Sequence, residues 1–171
     1  FQAIDDMGLI FIEQPLHHTD ILDHAELAQK IGTPICLDET IVDPRTAEQA
    51  IRIGACQYIN IKPARVGGLQ NSLAIHDMAR DAGIPVWIGG MLESSVGGAV
   101  CVELATLENA TYPGDLFPSS RFYTRDLATP PLEYAAPHTF QPFGCDLPVP
   151  DPEQLSAWTY RHAAVTTGIS Q

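Results

Sequence analysis

The sequence is poor in basic residues. Only 9 lysines and arginines stand against 21 aspartates and glutamates, which gives a formal net charge of -12. A chain this acidic is repelled by phosphate backbones and by anionic lipid headgroups. The composition therefore argues against nucleic acid or a membrane as a partner. It is compatible with a bound divalent cation, although acidity alone does not indicate one.

Cysteine is also scarce, and no two cysteines form a CxxC pair: the four copies are Cys36, Cys56, Cys101 and Cys145. Such scattered residues are typical of small buried side chains in a reducing compartment rather than of zinc ligands or disulfide partners. The sequence also lacks an apolar run long enough to span a bilayer and a visible signal peptide. We therefore expect a cytoplasmic protein.

What the sequence does contain is a repeating unit of about 25 residues, close to the spacing of a βα unit in an eight-stranded barrel. Each unit begins with a short apolar run of strand length; these runs lie at residues 9–12, 34–37, 58–61, 85–88 and 110–112. Helical patterns follow the first four runs, at residues 20–31, 43–53, 72–82 and 97–107. Strands that alternate with helices indicate an α/β fold with a parallel sheet.

The repeat divides the chain into two parts. Residues 1–127 carry the βα units, whereas residues 128–171 are rich in proline and predict an irregular segment followed by a short helix from Asp151. Residues 1–8 have no initiator Met and are typical of a helix that closes on a glycine. Five strands do not close a barrel, so we expect either that the rest of the barrel is missing from this chain or that another chain supplies it.

Three successive strands end in residues that can carry chemistry: Glu13, Asp38 and Lys62. Neighbouring parallel strands lie about 4.8 Å apart, so side chains at their carboxyl ends are expected to converge on one opening. Carboxylate oxygens favour a hard cation such as Mg²⁺ or Mn²⁺, and its field would favour the uncharged form of a nearby lysine. This set suits abstraction of a proton beside a carboxylate, with the ion stabilising the resulting enediolate.

Each of these residues also has a purely structural interpretation. Glu13 is an ordinary residue at the start of a loop, and Asp38 can cap the following helix. Lys62 can extend from a strand end into solvent. Two further hypotheses stay open: a metal-free lyase that uses Lys62 as a Schiff-base amine, and a partial barrel that acts only as the assembly partner of another chain.

A set of motifs in fixed order extends this interpretation. The motifs are Ile12-Glu13-Gln14-Pro15-Leu16, Cys36-Leu37-Asp38-Glu39-Thr40, Asn60-Ile61-Lys62-Pro63-Ala64-Arg65-Val66-Gly67-Gly68, Gly89-Gly90-Met91-Leu92-Glu93-Ser94 and Tyr112-Pro113-Gly114-Asp115. In these motifs the chain resembles the enolase superfamily in its muconate-lactonising branch and is most similar to the o-succinylbenzoate synthase / N-acylamino acid racemase group.

The resemblance implies that the chain is the C-terminal portion, about strands four to eight, of a (β/α) barrel of enolase-superfamily type. It implies that Glu13 and Asp38 are metal ligands on strands four and five, with Glu39 as the rival to Asp38. Lys62 would be the acid/base lysine of strand six. The residues implied to line the substrate pocket are Gly90, Met91, Leu92 and Phe122.

The same resemblance implies a reaction. Assisted by Mg²⁺ or Mn²⁺, the protein would form o-succinylbenzoate by dehydration, racemise N-acylamino acids, or both; cycloisomerisation and dipeptide epimerisation are the alternatives within the branch. A small carboxylate substrate and a homo-oligomer are implied as partners. Three family features are not found in this sequence: the N-terminal capping domain, a Lys-x-Lys motif on strand two and the first metal Asp on strand three. We therefore expect this chain alone to be catalytically incomplete.

Overall fold

A parallel sheet of four short strands organises the structure, a computed structural model that describes residues 1–160. The strands lie in sequence order, β1-β2-β3-β4, and every neighbouring pair is parallel. Their bounds are Ile12–Glu13 (β1), Ile35–Leu37 (β2), Tyr58–Ile61 (β3) and Val86–Ile88 (β4). This order places the carboxyl ends of all four strands at one edge of the sheet.

Helices connect the strands. They are α1 (Gln2–Asp5), α2 (Ile21–Ala28), α3 (Pro44–Ile53), α4 (Pro63–Val66), α5 (Leu69–Asp81), α6 (Ser95–Leu104) and α7 (Pro152–Trp158), with a 3₁₀ turn at Ser119–Arg121. The alternation confirms the predicted α/β class with a parallel sheet. Within residues 1–160, no helix is both long and apolar enough to cross a membrane.

The two faces of the sheet have different surroundings. Ile35, Leu37, Ile59, Ile61 and Ile88 are almost completely buried, and they form one cluster with small and branched residues of α3 and α5. Burying a side chain of this size contributes about 1.5–3 kcal/mol relative to leaving it in water. Because side chains alternate along a strand, the residues between them point to the opposite face, where the candidate site lies.

On that opposite face, aromatic rings cover the sheet below the strand ends. Phe11 lies 5.1 Å from Tyr58 and 6.2 Å from Trp87, measured between ring centroids. The indole N–H of Trp87 donates to the sulfur of Cys36 at 3.2 Å. Burial raises the pKa of the Cys36 thiol to about 12, so this thiol stays protonated at neutral pH. The rings thus form an apolar layer beneath the polar groups at the strand ends.

Several boundaries differ from those that the sequence predicts. Leu9 and Ile10 are exposed, so β1 begins only at Ile12. The prediction of a fifth strand at residues 110–112 is wrong: Ala110 forms only an isolated parallel bridge with Val86, and a second isolated bridge joins Gly89 to Asp115, beyond the predicted run. Pro113 has no N–H to donate between them, which prevents a continuous ladder.

The C-terminal part of the described chain is irregular, as its composition predicts. Residues 122–151 contain no helix or strand beyond one isolated antiparallel bridge, Ala136↔Thr139. The helix predicted from Asp151 is present as α7, and Asp151 caps it by accepting hydrogen bonds from the backbone N–H groups of Glu153 and Gln154. It ends at Trp158. The rest of the segment, 161–171, lies outside the described residues.

Candidate active site

Glu13, Asp38 and Lys62 open into the same cavity. Glu13 is the last residue of β1, Asp38 follows β2 directly, and Lys62 follows β3 directly. The ammonium nitrogen of Lys62 lies 2.7 Å from Oδ2 of Asp38. The cavity has a volume of about 510 Å³ and is also lined by Gln14, His18, Glu39 and Asp115. The structure therefore brings the three sequence-predicted residues together, while their chemical roles stay predictions.

Asp38 is held between two cations. Its side chain is 5% exposed, and its second carboxylate oxygen, Oδ1, accepts from Arg65. Arg65 also donates to the backbone oxygens of Ile41, at 2.8 Å, and of Asn60. Burial lowers the pKa of Arg65 to about 10, which leaves the guanidinium charged at neutral pH. Arg65 thus fixes the Asp38 carboxylate relative to the chain that leads into Lys62.

Glu13 is held by the strand that precedes Lys62. The side-chain amide of Asn60 donates to Oε1 of Glu13 at 3.0 Å, and Asn60 itself is fully buried. Asn60 lies two residues before Lys62, so both side chains point to the same face of the sheet. Within the described part of the chain, Oδ1 of Asn60 is buried without a hydrogen-bond partner.

Gln14 links the end of β1 to the loop after β2. Its side-chain oxygen accepts from the backbone N–H groups of Asp38, at 3.0 Å, and of Thr40, at 3.1 Å. Its side-chain nitrogen donates to the Thr40 hydroxyl at 2.8 Å. Arg65, Asn60 and Gln14 belong to the motifs noted above, but the sequence assigned them no role. The alternation of side chains along β3 could have shown that Asn60 points to the same face as Lys62. No signal in the sequence indicated the contacts of Arg65 and Gln14.

Oxygen atoms outnumber the other potential metal ligands of the cavity, among which is the imidazole of His18. Carboxylates of Glu13, Asp38, Glu39 and Asp115 line it, against one lining ammonium group, that of Lys62. Such a set fits a hard divalent cation better than a soft one. Within residues 1–160, however, no three carboxylates, imidazoles or thiolates lie close enough together to hold a metal ion on their own. The described residues thus supply oxygen atoms of the kind that hard cations prefer, but no group of three that could hold an ion.

The predicted substrate-pocket residues do not line the cavity that contains Lys62. Gly90 donates its backbone N–H to the carbonyl oxygen of Asp115 at 3.0 Å. The side chains of Met91 and Leu92 are largely solvent-exposed, at 53% and 68%. Leu92 and Phe122 meet instead in a second cavity of about 710 Å³. Their role in substrate binding stays a prediction.

Comparison with known proteins shows which family this chain matches. The family described as enolase C-terminal domain-like matches residues 1–142. An N-succinylamino acid racemase of Amycolatopsis is 50% identical over 157 residues, which cover 91% of this chain and 42% of the racemase. An o-succinylbenzoate synthase of Geobacillus kaustophilus is 49% identical over 132 residues, which cover 77% of this chain and 35% of the synthase.

A solved structure of the same superfamily also matches this chain. The structure of an enolase-superfamily member from Listeria innocua is 38% identical and superposes with a TM-score of 0.77. The match covers 90% of this chain and 42% of that one. This chain therefore spans less than half the length of the relatives it matches.

Proposed function

Because the chain belongs to the enolase C-terminal domain-like family, we propose that the protein carrying it abstracts the proton α to a carboxylate with the help of Mg²⁺ or Mn²⁺. The products would be racemised N-succinylamino acids, o-succinylbenzoate formed by dehydration, or both, since relatives of both kinds match. The observation that carries the proposal is the convergence of Glu13, Asp38 and Lys62 on one cavity.

The oxygen-rich donor set supports a hard cation at this place. Glu13 and Asp38 would hold it, with Glu39 as the rival to Asp38 because its exposed carboxylate lines the same cavity. A bound divalent ion would stabilise negative charge that develops on the substrate carboxylate as the proton leaves. Two side chains do not complete the shell of such an ion, so further ligands, water among them, would be needed.

Lys62 is the proposed acid/base group. Its nitrogen lies in the cavity at the end of β3, and its contact with Asp38 keeps it beside the proposed metal ligand. In racemisation, Lys62 would remove or return the α-proton on one face of the substrate while a second base serves the other face. In dehydration, its positive charge would stabilise the developing anion instead. The same side chain therefore supports both reactions.

The remaining partners follow from the same proposal. A cavity of about 510 Å³ is large enough for a small organic acid. Gly90, Met91, Leu92 and Phe122 are the residues that we propose to contact its distal part. Assembly as a homo-oligomer and a cytoplasmic location complete the proposal. Cycloisomerisation and dipeptide epimerisation begin with the same proton abstraction, so product analysis distinguishes them.

Chelation tests the proposal in the full-length protein. We expect exhaustive EDTA treatment to stop the reaction. Racemisation of N-succinylamino acids is measured by polarimetry, and formation of o-succinylbenzoate is measured by absorbance. Added Mg²⁺ or Mn²⁺ should restore the rate. Activity that survives chelation would contradict metal assistance and favour the Schiff-base alternative. Borohydride trapping of substrate on Lys62 would then identify that mechanism directly.

A further inference from the structure

Gln14 occupies an unusual position between two strand ends. It follows Glu13 directly, and its backbone has a φ of +41°, a left-handed conformation that non-glycine residues rarely adopt. The energetic cost of this conformation must be offset by contacts that it makes possible. The conformation is accompanied by three side-chain hydrogen bonds across the loop, to the segment that carries Asp38.

Those contacts hold the backbone around Asp38 and Glu39, the predicted metal ligand and its rival. The side-chain oxygen of Gln14 accepts from the N–H groups of Asp38 and Thr40, one on each side of Glu39. Its nitrogen donates to the Thr40 hydroxyl at 2.8 Å. The turn that results buries Asp38 to 4% exposure and leaves Glu39 exposed. The Gln14 amide therefore braces the turn in which Asp38 is buried and Glu39 is exposed.

A buried histidine supports the amide from below. His24 is fully buried, and its Nε2 accepts from the backbone N–H of Leu16 at 3.3 Å and lies 3.3 Å from the Gln14 nitrogen. Its Nδ1 therefore carries the proton and donates to the carbonyl of Asp20 at 2.7 Å, an assignment made from the hydrogen bonds. The Gln14 side chain is thus held on both sides.

We propose that Gln14 is a positioning residue that sets the separation and direction of the Glu13 and Asp38 carboxylates for a divalent cation. It would act through the backbone, without touching the ion. The inference rests on the proposed function and deepens it, because it names the group that preorganises the two ligands. Groups that orient metal ligands from outside the coordination shell typically change metal affinity by about 10–100-fold when removed.

A second glutamine, Gln57, offers a matched control because its side chain binds the first residue of β2. Gln57 uses its side-chain oxygen to accept the backbone N–H of Ile35, at 2.9 Å, at the opposite end of β2. Replacing Gln57 by leucine therefore removes a hydrogen bond of the same type to the same strand, far from the cavity. A general loss of stability would affect both variants, whereas a positioning role would affect metal binding in only one.

The test measures the Mn²⁺ dissociation constant of the full-length protein by electron paramagnetic resonance in wild type, Gln14→Leu and Gln57→Leu. We expect Gln14→Leu to raise the constant at least about tenfold and Gln57→Leu to leave it within about twofold. Thermal unfolding of both variants shows how much stability each has lost. Equal constants in wild type and Gln14→Leu would overturn the inference and leave the proposed function standing.

Two further outcomes are informative. If Gln14→Leu does not fold, Thr40→Val removes the hydroxyl that accepts from the Gln14 amide, and we expect weaker Mn²⁺ binding from that change as well. Unchanged binding in Thr40→Val would then overturn the inference. Failure of the wild type to bind Mn²⁺ would contradict the proposed function itself, and the positioning role with it.

Discussion

At the end of β4, Gly89 leaves room for two side chains that approach from β3. A Cβ atom at this position would lie 2.6 Å from Oδ1 of Asn60 and 2.7 Å from Cε of Lys62. Real Cβ atoms do not approach so closely, so any larger residue must displace Asn60, Lys62 or both. The absence of a side chain at Gly89 therefore determines where the proposed acid/base nitrogen lies.

We predict that Gly89→Ala lowers kcat of the proposed reaction at least about tenfold, since a displacement of about 1 Å at a reacting group can cost 10²-fold. Gly98→Ala is the control, because its added Cβ would lie 2.5 Å from Leu132 in a contact that does not involve the site. Both changes should alter thermal stability. Steady-state kinetics that show an unchanged kcat for Gly89→Ala would contradict the assigned position of Lys62.

At the residue scale, position along a strand was the predictive signal. Glu13, Asp38 and Lys62 could be selected because each ends or follows a buried strand, and the carboxyl ends of parallel strands meet at one edge. The contacts of Gln14 and Arg65 could not be predicted, since they depend on loop conformations that place an amide or guanidinium against a neighbouring strand. Sequence periodicity carries no information about such contacts.

At the scale of single elements, α3 shows how local sequence determines a boundary. Asp43 accepts from the backbone N–H of Thr46 at 2.7 Å, while the Thr46 hydroxyl lies 3.1 Å from the backbone nitrogen of Asp43. Pro44 occupies the first turn, and Gly54 ends the helix with a φ of 70°. These features made the helix predictable almost to the residue, and α3 holds its place on the sheet through the buried Ala47 and Ala50.

We predict that Asp43→Ala lowers the free energy of unfolding by about 1 kcal/mol at neutral pH, the usual cost of losing a capping residue. The Thr46 N–H lowers the pKa of Asp43 in the folded protein. The stabilisation is therefore present above the ordinary pKa of the carboxyl and is lost as the pH falls through the lowered value. The difference between wild type and variant should shrink below about pH 4 in chemical unfolding experiments.

Asp43→Asn provides the control for the effect of charge. Asparagine keeps an oxygen that can accept from Thr46 but does not titrate. The difference in stability between Asp43→Asn and Asp43→Ala should therefore not change as the pH falls through the pKa of a carboxyl group. A difference between Asp43→Ala and wild type that stays constant from pH 7 to well below pH 4 would contradict the capping interpretation.

The strands were predicted less well than the helices. The apolar runs located all four strands, but their ends depend on which backbone groups find a partner. Residues 110–115 illustrate this: Asp115 donates to Ile88 and accepts from Gly90, while Pro113 has no N–H to contribute. The segment follows β4 without becoming a strand. The pattern of apolar residues in a sequence cannot predict such a gap in hydrogen bonding.

At the scale of the whole molecule, part of the negative charge lies in the cavity. Four of the carboxylates behind the formal charge of -12 line the cavity that contains Lys62. The α/β class could be predicted from the alternation of strands and helices. The path of residues 122–151 could not, because a segment without periodicity is shaped by contacts such as Asp151 N–H to the Leu127 carbonyl, at 2.8 Å.

The central claim is that Lys62 moves a proton at the α-carbon of a substrate in this cavity. The most direct test measures deuterium incorporation at that carbon in D₂O, which NMR detects. Chiral analysis of an N-acylamino acid substrate in the same reaction measures its racemisation. The full-length wild type, Lys62→Ala and the exposed control Lys30→Ala, whose partner is Glu26, are compared with Mg²⁺ present. We expect Lys62→Ala to racemise about 10²–10⁴-fold more slowly, the usual contribution of a general acid/base group, while still binding Mn²⁺. Racemisation by Lys62→Ala at the rate of wild type and Lys30→Ala would contradict the claim.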